Sequence, residues 1–237
     1  MLPILELLTT TEIMLCSAVI LVAAVLQLSA GMGFGMIASP LLAFIKPELV
    51  PGMILCMGLT VSLTGAWRER QNIAISELKS GIGGRIVGSL IAFVILLLIP
   101  NIDVFQIVFG CIMFVAIALA ASGLEITFSE RKLFNLSILS GLMGTITAVG
   151  APPMALIYHN RPPKIVRPTL NAFFGSACIL GLTSLAFSGW LTLEVIIISL
   201  ILMPIMIVSI YVSKFLRKVS SIWLSRILLG LSGLASF

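Results

Sequence analysis

Eight apolar runs, separated by short connectors, make up most of the sequence and are its strongest constraint on the fold. They cover residues 13–45, 51–67, 81–99, 105–122, 133–158, 169–187, 195–213 and 224–237. A helix crosses a bilayer with roughly 20 apolar residues, so these runs are candidate crossings. Only 10% of the 237 residues are charged, against about 25% in soluble domains. With so few charged residues the chain cannot cover the surface of a soluble domain. The sequence therefore predicts an all-α, polytopic membrane protein.

Two of the runs do not fit ordinary crossings. The first covers 33 residues, and as one helix it would measure about 50 Å against a hydrocarbon core of about 30 Å. Both the first and the fifth run contain helix-breaking residues, which are Gly31, Gly33, Gly35 and Pro40 in the first and Gly150-Ala151-Pro152-Pro153 in the fifth. Broken backbone is tolerated at membrane depth only where protein or a water-filled cavity satisfies its polar groups. We therefore expect a functional break in each run.

The basic residues indicate how the fifth run lies in the membrane. Excess Lys and Arg in short connectors marks the cytoplasmic side. If every run crosses once, six of the 14 basic residues fall on one side and eight on the other. If the fifth run folds back near 150–153, thirteen share one side and only Lys46 lies opposite. The positive-inside rule therefore favours the fold-back. We expect the protein to lie in the cell membrane with its basic loops in the cytoplasm.

The two halves of the chain also have the same order of segments, since each begins with a long broken run that further spans follow. If both long runs fold back, three spans lie between the folds and the halves have opposite orientations. The predicted fold is a helical bundle of two inverted-topology repeats, each starting with a broken, re-entrant helix. We predict a single transmembrane domain over residues 1–237, with repeat one at 12–122 and repeat two at 133–237.

Three motifs carry a resemblance to a known family. They are Gly31-x-Gly33-x-Gly35-x4-Pro40-Leu41-Leu42, Gly150-Ala151-Pro152-Pro153, and Trp67-Arg68 followed by Gly84-Arg85-x-x-Gly88. The chain resembles the TauE/SafE family of sulfite and organosulfonate exporters of bacterial and archaeal membranes, over most of its length. The resemblance implies a secondary transporter of small sulfur-containing anions.

The broken helices also suggest where a substrate would bind. In inverted-repeat transporters the site lies near the midplane, where broken helices end. A half-helix N-terminus offers N–H groups and positive partial charge to an anion, and we expect the half-helices after Gly35 and after Gly150 to supply them. The predicted substrate-binding residues are Gly31, Gly33, Gly35, Ser39, Pro40, Thr145, Thr147, Gly150, Ala151, Pro152, Pro153 and Asn171.

Some of these residues have a second interpretation. The glycines of the first run can serve close helix packing, Pro152-Pro153 can be a plain helix stop, and Asn171 can bridge helices. Arg85, about a turn inside its run, is expected to snorkel to the headgroups rather than to attract an anion. Residues two apart on a helix point in different directions, so at most part of the set Thr60, Ser62 and Thr64 lines a path.

The charge and cysteine patterns limit the partners. No Asp or Glu lies deep inside any run, which favours an anionic over a cationic substrate. The four cysteines each lie alone without metal-ligand spacing, so no metal or cofactor is expected. The net charge of +5 does not indicate nucleic acid, because the basic residues form no face or arm. The expected partners are a small anion and the lipid bilayer, and the sequence is compatible with a homo-oligomer.

The predicted function is secondary transport of a small anion such as sulfite or an organosulfonate, with export as the expected direction. The mechanism would be alternating access around two re-entrant helices. A non-transporting membrane scaffold or assembly subunit is the alternative, although it would not need a broken helix in each half. An intramembrane enzyme is disfavoured, because the only histidine, His159, has no better nucleophile to pair with than Ser140.

Overall fold

The computed structural model describes residues 8–216, which form nine α-helices and no strand. The helices are α1 (Thr10–Ala30), α2 (Phe34–Ile45), α3 (Gly52–Arg68), α4 (Ile75–Leu98), α5 (Ile102–Ala121), α6 (Glu130–Thr147), α7 (Ala151–Tyr158), α8 (Pro163–Phe187) and α9 (Leu193–Leu216). Short 3₁₀ turns, Pro47–Leu49 and Arg70–Asn72, lie in two connectors. The predicted last run, 224–237, lies outside the described residues, as does the end of repeat two.

Five of these helices, α1, α4, α5, α8 and α9, are long and apolar enough to cross a membrane. On α5 large apolar side chains face outward, with Ile107 66% and Phe114 73% exposed. Such an apolar outer surface suits contact with lipid rather than with water. The prediction of an all-α, multi-pass membrane protein is confirmed.

The first long run is broken into α1 and α2, as expected. Gly31 ends α1 with φ +85°, and Gly33 precedes α2 with φ +113°, a conformation that glycine adopts without strain. The helix starts at Phe34, so the expectation that it would begin after Gly35 was wrong by two residues. Pro40 lies inside α2 and does not end it. Loss of one N–H donor costs a single helical hydrogen bond, which the packed helix tolerates.

The second long run is broken between α6 and α7. Thr147 is the last residue of α6, and Ala148 then adopts a left-handed conformation with φ +59°. Gly150 precedes α7, whose first turn contains Pro152 and Pro153. The break therefore lies slightly before the predicted 150–153. The prolines start a helix rather than stop one, because the first turn has no use for their missing N–H groups.

Glycines allow two helix pairs to approach closely. A Cβ on Gly88 would collide with the carbonyl oxygen of Ile138, and one on Gly84 with that of Phe134, so α4 and α6 are in backbone contact. On α3, a Cβ at Gly65 would lie 2.5 Å from the side chain of Asn171 on α8. Within a membrane, small residues at helix interfaces favour such close van der Waals packing.

Several helix contacts correspond between the first and second parts of the described chain. α4 packs along α6 and α8, while α9 packs along α1 and α3. α3 and α8 pack on each other, and the half-helices α2 and α7 contact the helices that precede them. This set of contacts is unchanged when the helices are exchanged in pairs, α1 with α6, α2 with α7, α3 with α8 and α4 with α9.

Both ends of the α6–α7 segment lie beside the start of α4. The Ser80 hydroxyl of α4 donates a hydrogen bond of 3.2 Å to the carbonyl oxygen of Glu130, where α6 begins. Glu77, in the first turn of α4, forms an ion pair with Arg161, which follows α7. The chain thus enters α6 and leaves α7 at one end of the bundle.

Candidate functional site

The two helix breaks meet in the protein interior. The Ser39 hydroxyl on α2 donates a hydrogen bond of 2.5 Å to the carbonyl oxygen of Thr147, and both side chains are fully buried. Gly35 lies so close to the carbonyl oxygen of Ala148 that any side chain there would collide with it. The first turn of α2 is therefore packed directly against the end of α6.

A cavity of about 40 Å³ lies beside this contact, between the first turns of α2 and α7. Four predicted site residues line it, namely Gly33, Gly35, Gly150 and Ala151. The rest of the wall comes mainly from apolar side chains, largely of α3 and α8. The space can hold water and is far smaller than the ~300–1,000 Å³ of pockets for drug-sized ligands, so it suits a small solute.

Gln27, which sequence reasoning missed, joins the cavity to the first break. It is 3% exposed, and its Oε1 accepts a hydrogen bond of 3.1 Å from the N–H of Phe34, the first residue of α2. Its Nε2 donates to Ser62 Oγ at 3.1 Å and to Asn171 Oδ1 at 3.3 Å. One amide thus ties α1, α3 and α8 to the start of α2. The available signal was a lone polar side chain within a long apolar run.

The three hydroxyls predicted for the site do not line the cavity. Thr147 donates to a carbonyl one turn earlier and accepts from the N–H of Val149 at 3.1 Å, so it shapes the end of α6. Thr145 donates to Ser89 on α4 at 3.0 Å. Ser39 is bonded to the backbone of Thr147. Ser39 and Thr147 stabilise the break, and Thr145 links α6 to α4. Contact of the three hydroxyls with a substrate stays a prediction.

Four other predicted residues do not line the cavity. Gly31 packs against the backbone of Arg167, where an added Cβ would lie 2.7 Å from its Cα. Pro40 lies inside α2, and Pro152 and Pro153 are buried in the first turn of α7. For Gly31 the structure therefore realises the packing alternative, while Gly33 has open space around it.

The remaining polar candidates separate by their contacts. Asn171 Nδ2 donates to the carbonyl oxygen of Arg167, one turn earlier on α8, at 2.9 Å. Its Oδ1 accepts from Gln27 on α1, so Asn171 bridges the two helices. Of the three hydroxyls on α3, Ser62 alone lines the cavity. Thr60 and Thr64 instead donate to carbonyl oxygens one turn earlier on the same helix. The expectation that the three cannot share one face is confirmed.

Comparison with known proteins gives the chain a family. A model of the sulfite exporter TauE/SafE family matches residues 16–237. The chain belongs to the TauE/SafE family. It is thus a membrane transporter of the sulfite and organosulfonate type. Neither the curated proteins nor the solved structures gave a match.

Arg85 of this TauE/SafE protein does not snorkel, so that expectation was wrong. The residue is 2% exposed, and its Nη1 donates to the carbonyl and hydroxyl oxygens of Ser140 at 2.5 and 3.0 Å. The Ser140 hydroxyl in turn donates to the carbonyl oxygen of Gly150 at 2.6 Å. Small residues of α6 leave space for the guanidinium inside the bundle. The sequence of the apolar run that contains Arg85 does not reveal this space.

The Ser140 and His159 side chains of this TauE/SafE protein do not form a nucleophile and base pair. His159 Nε2 lies 3.1 Å from a carboxylate oxygen of Glu125, and both side chains are more than half exposed. Ser140 is fully buried and bonded to Arg85 and Gly150. The two side chains bond to other groups and do not form the pair that an intramembrane enzyme would need.

Proposed function

We propose that this TauE/SafE protein exports a small anion, such as sulfite or an organosulfonate, by alternating access around the cavity between α2 and α7. The observation that carries the proposal is that the helix breaks of the two halves meet at one cavity. Discontinuous helices form the substrate sites of many secondary transporters. A membrane scaffold would have no use for two such breaks, because irregular backbone at membrane depth needs special satisfaction.

An inverted-repeat relation between the halves is part of the proposal. The contacts that survive exchange of the two halves support it. The fold-back of the second run is supported by Ser80 and Arg161, which bring both ends of α6–α7 to the start of α4. In the first half, Lys46 after α2 lies within electrostatic reach of Glu12 at the start of α1, as a similar fold-back requires.

Positive partial charge at the cavity supports an anionic substrate. Residues 33–36 at the start of α2 and residues 150 and 151 at the start of α7 line the cavity. Helix N-termini attract anions through their N–H groups and dipoles. The two helix N-termini are unequal, because Pro152 and Pro153 in the first turn of α7 have no N–H to donate. Among the residues that the structure describes, no carboxylate lines this cavity to repel an anion.

Anion flux in liposomes tests the proposal. Purified protein is reconstituted, and uptake of labelled sulfite, sulfoacetate, thiosulfate and rubidium is compared with uptake by protein-free liposomes. We expect saturable flux of at least one sulfur oxyanion and none of rubidium. Absence of flux for every anion, in protein that is folded and inserted, contradicts the proposal.

The predicted topology has a separate test. With the basic connectors in the cytoplasm, a reporter fused within residues 161–167 and one fused at residues 131–132 should report the same side of the membrane. Reports from opposite sides would contradict the fold-back at the second break.

A further inference from the structure

A buried arginine lies directly behind the wall of the cavity. Arg85 is fully enclosed near the middle of α4, and its guanidinium touches Gly150, a residue that lines the cavity. A Cβ on Gly150 would lie 2.7 Å from Nη1, and one on Gly144 would lie equally close. The lack of side chains at these two positions therefore makes room for the guanidinium next to the cavity.

Among the described residues, the hydrogen-bond partners of Arg85 are neutral. Its Nη1 donates to two oxygens of Ser140, and its Nε is buried with no hydrogen-bond partner. The ion pairs Glu69–Arg167, Glu77–Arg161 and Glu125–His159 do not include Arg85. Outside residues 8–216 the sequence has one acidic residue, Glu6.

Burial of this charge without a counter-ion is costly. A guanidinium stays protonated in proteins, so Arg85 cannot avoid the cost by losing its charge. An unpaired buried charge is strongly destabilising, and ionisable residues inside membrane segments are usually functional. An anion in the neighbouring cavity would supply the missing negative charge, because Gly150 both lines the cavity and lies against the guanidinium.

We propose that Arg85, from behind Gly150, supplies the positive charge that gives the cavity its preference for anions. The inference rests on the proposed function and deepens it, because it names the group that recognises the charge. It predicts that the site takes small oxyanions and rejects neutral solutes of the same size. The competing view is that Arg85 only holds the second break in shape, through Ser140 and Gly150.

The experiment compares variants that separate charge from bonding. Arg85→Gln removes the charge, whereas Arg85→Lys and Ser140→Ala keep it and lose bonds to the break. Arg131→Gln removes an exposed positive charge and serves as the control for net charge. Two quantities are measured with sulfite as the probe: its half-saturation concentration for uptake into liposomes, and the rise in Tm that it causes in detergent, relative to chloride at equal ionic strength.

We expect Arg85→Gln to raise the half-saturation concentration about tenfold or more and to abolish the sulfite-dependent rise in Tm. Arg85→Lys should stay within about threefold of the wild type, because a bound anion favours the charged form of the ammonium group. Ser140→Ala and Arg131→Gln should keep the rise in Tm. Wild-type behaviour of Arg85→Gln would overturn the inference. Loss of the sulfite-dependent rise in Tm in folded Arg85→Lys would also overturn it, and this result needs no measurement on the glutamine variant.

The two measurements distinguish this inference from the proposed function. If sulfite stabilises the wild-type protein but is not transported, transport is contradicted and Arg85 remains the source of the preference for anions. Normal uptake by both the wild type and Arg85→Gln would contradict the role of Arg85 and leave transport intact. Wild-type protein that sulfite neither stabilises nor crosses would overturn both for this anion.

Discussion

The Ser39 hydroxyl donates a hydrogen bond to the carbonyl oxygen of Thr147, from the half-helix of one half of the chain to the helix break of the other. Both residues are fully buried. The bond links the position of α2 to the end of α6, and any movement that separates these helices must break it.

Removal of this bond should destabilise the protein. Ser39→Ala leaves the buried Thr147 carbonyl without its partner, and we expect a loss of about 1–3 kcal/mol in the free energy of unfolding. Unfolding by SDS in mixed micelles measures it. Ser184→Ala is the control, since the Ser184 hydroxyl donates to the carbonyl of Leu180 on its own helix. Equal effects of the two substitutions would show that the bond between the halves contributes nothing particular.

Gly35 should tolerate no side chain. In Gly35→Ala the new Cβ would collide with the Ala148 carbonyl oxygen, and the forced shift should cost about 1–3 kcal/mol. Gly110→Ala is the matched control on α5, where an added Cβ has nothing within 4 Å. There the better helix propensity of alanine should leave stability equal or higher. Thermal unfolding in detergent compares them, and a harmless Gly35→Ala would mean that the two breaks are not in contact.

Gln27 should be needed for the shape of the first break. Gln27→Leu leaves the Phe34 N–H and the Ser62 and Asn171 side chains without their shared partner. We expect uptake of sulfite to fall at least severalfold while the protein still inserts, because the start of α2 is no longer held in place. Gln106→Leu, on the exposed side of α5, should leave uptake unchanged. Unimpaired uptake by Gln27→Leu would remove Gln27 from the site.

The ion pair between Glu77 and Arg161 should matter more than the exposed contact between Glu125 and His159. The Glu77 side chain is 7% exposed and that of Arg161 33%, so loss of the carboxylate leaves a poorly solvated cation. We expect Glu77→Gln to cost about 1–3 kcal/mol, below the range for fully buried pairs because Arg161 is partly solvated. Glu125→Gln should cost about 0–1 kcal/mol. Equal losses in SDS titrations would contradict this difference.

The helix breaks could be predicted from the sequence because they depend on local chemistry. Glycine at Gly31 and Gly33 permits positive φ, and a 33-residue apolar run is too long for one crossing. The break at Ala148 was misplaced slightly, because an alanine with φ +59° carries no local signal. There the surrounding packing, rather than the residue, sets the backbone conformation.

The direction in which polar side chains point could not be predicted in the same way. Arg85, Gln27 and Thr145 each lie in an apolar helix whose rotation is set by its neighbours. Close approach of α4 and α6 turns Arg85 inward, whereas an isolated helix would let it reach the headgroups. A single sequence holds the pattern of each helix but not the rotation that tertiary packing selects.

Uptake of sulfite by Gly33→Ala tests most directly the claim that the anion passes through the cavity between the two breaks. Gly33 lines the cavity, with φ +113° and open space around it, whereas Gly189 has φ +80° and open space but lies exposed between α8 and α9. Gly189→Ala therefore carries comparable backbone strain without a methyl group in the cavity. The account predicts that Gly33→Ala lowers sulfite uptake about tenfold or more, while Gly189→Ala transports as the wild type does. Equal uptake by the two variants, at equal amounts of inserted protein, would contradict it.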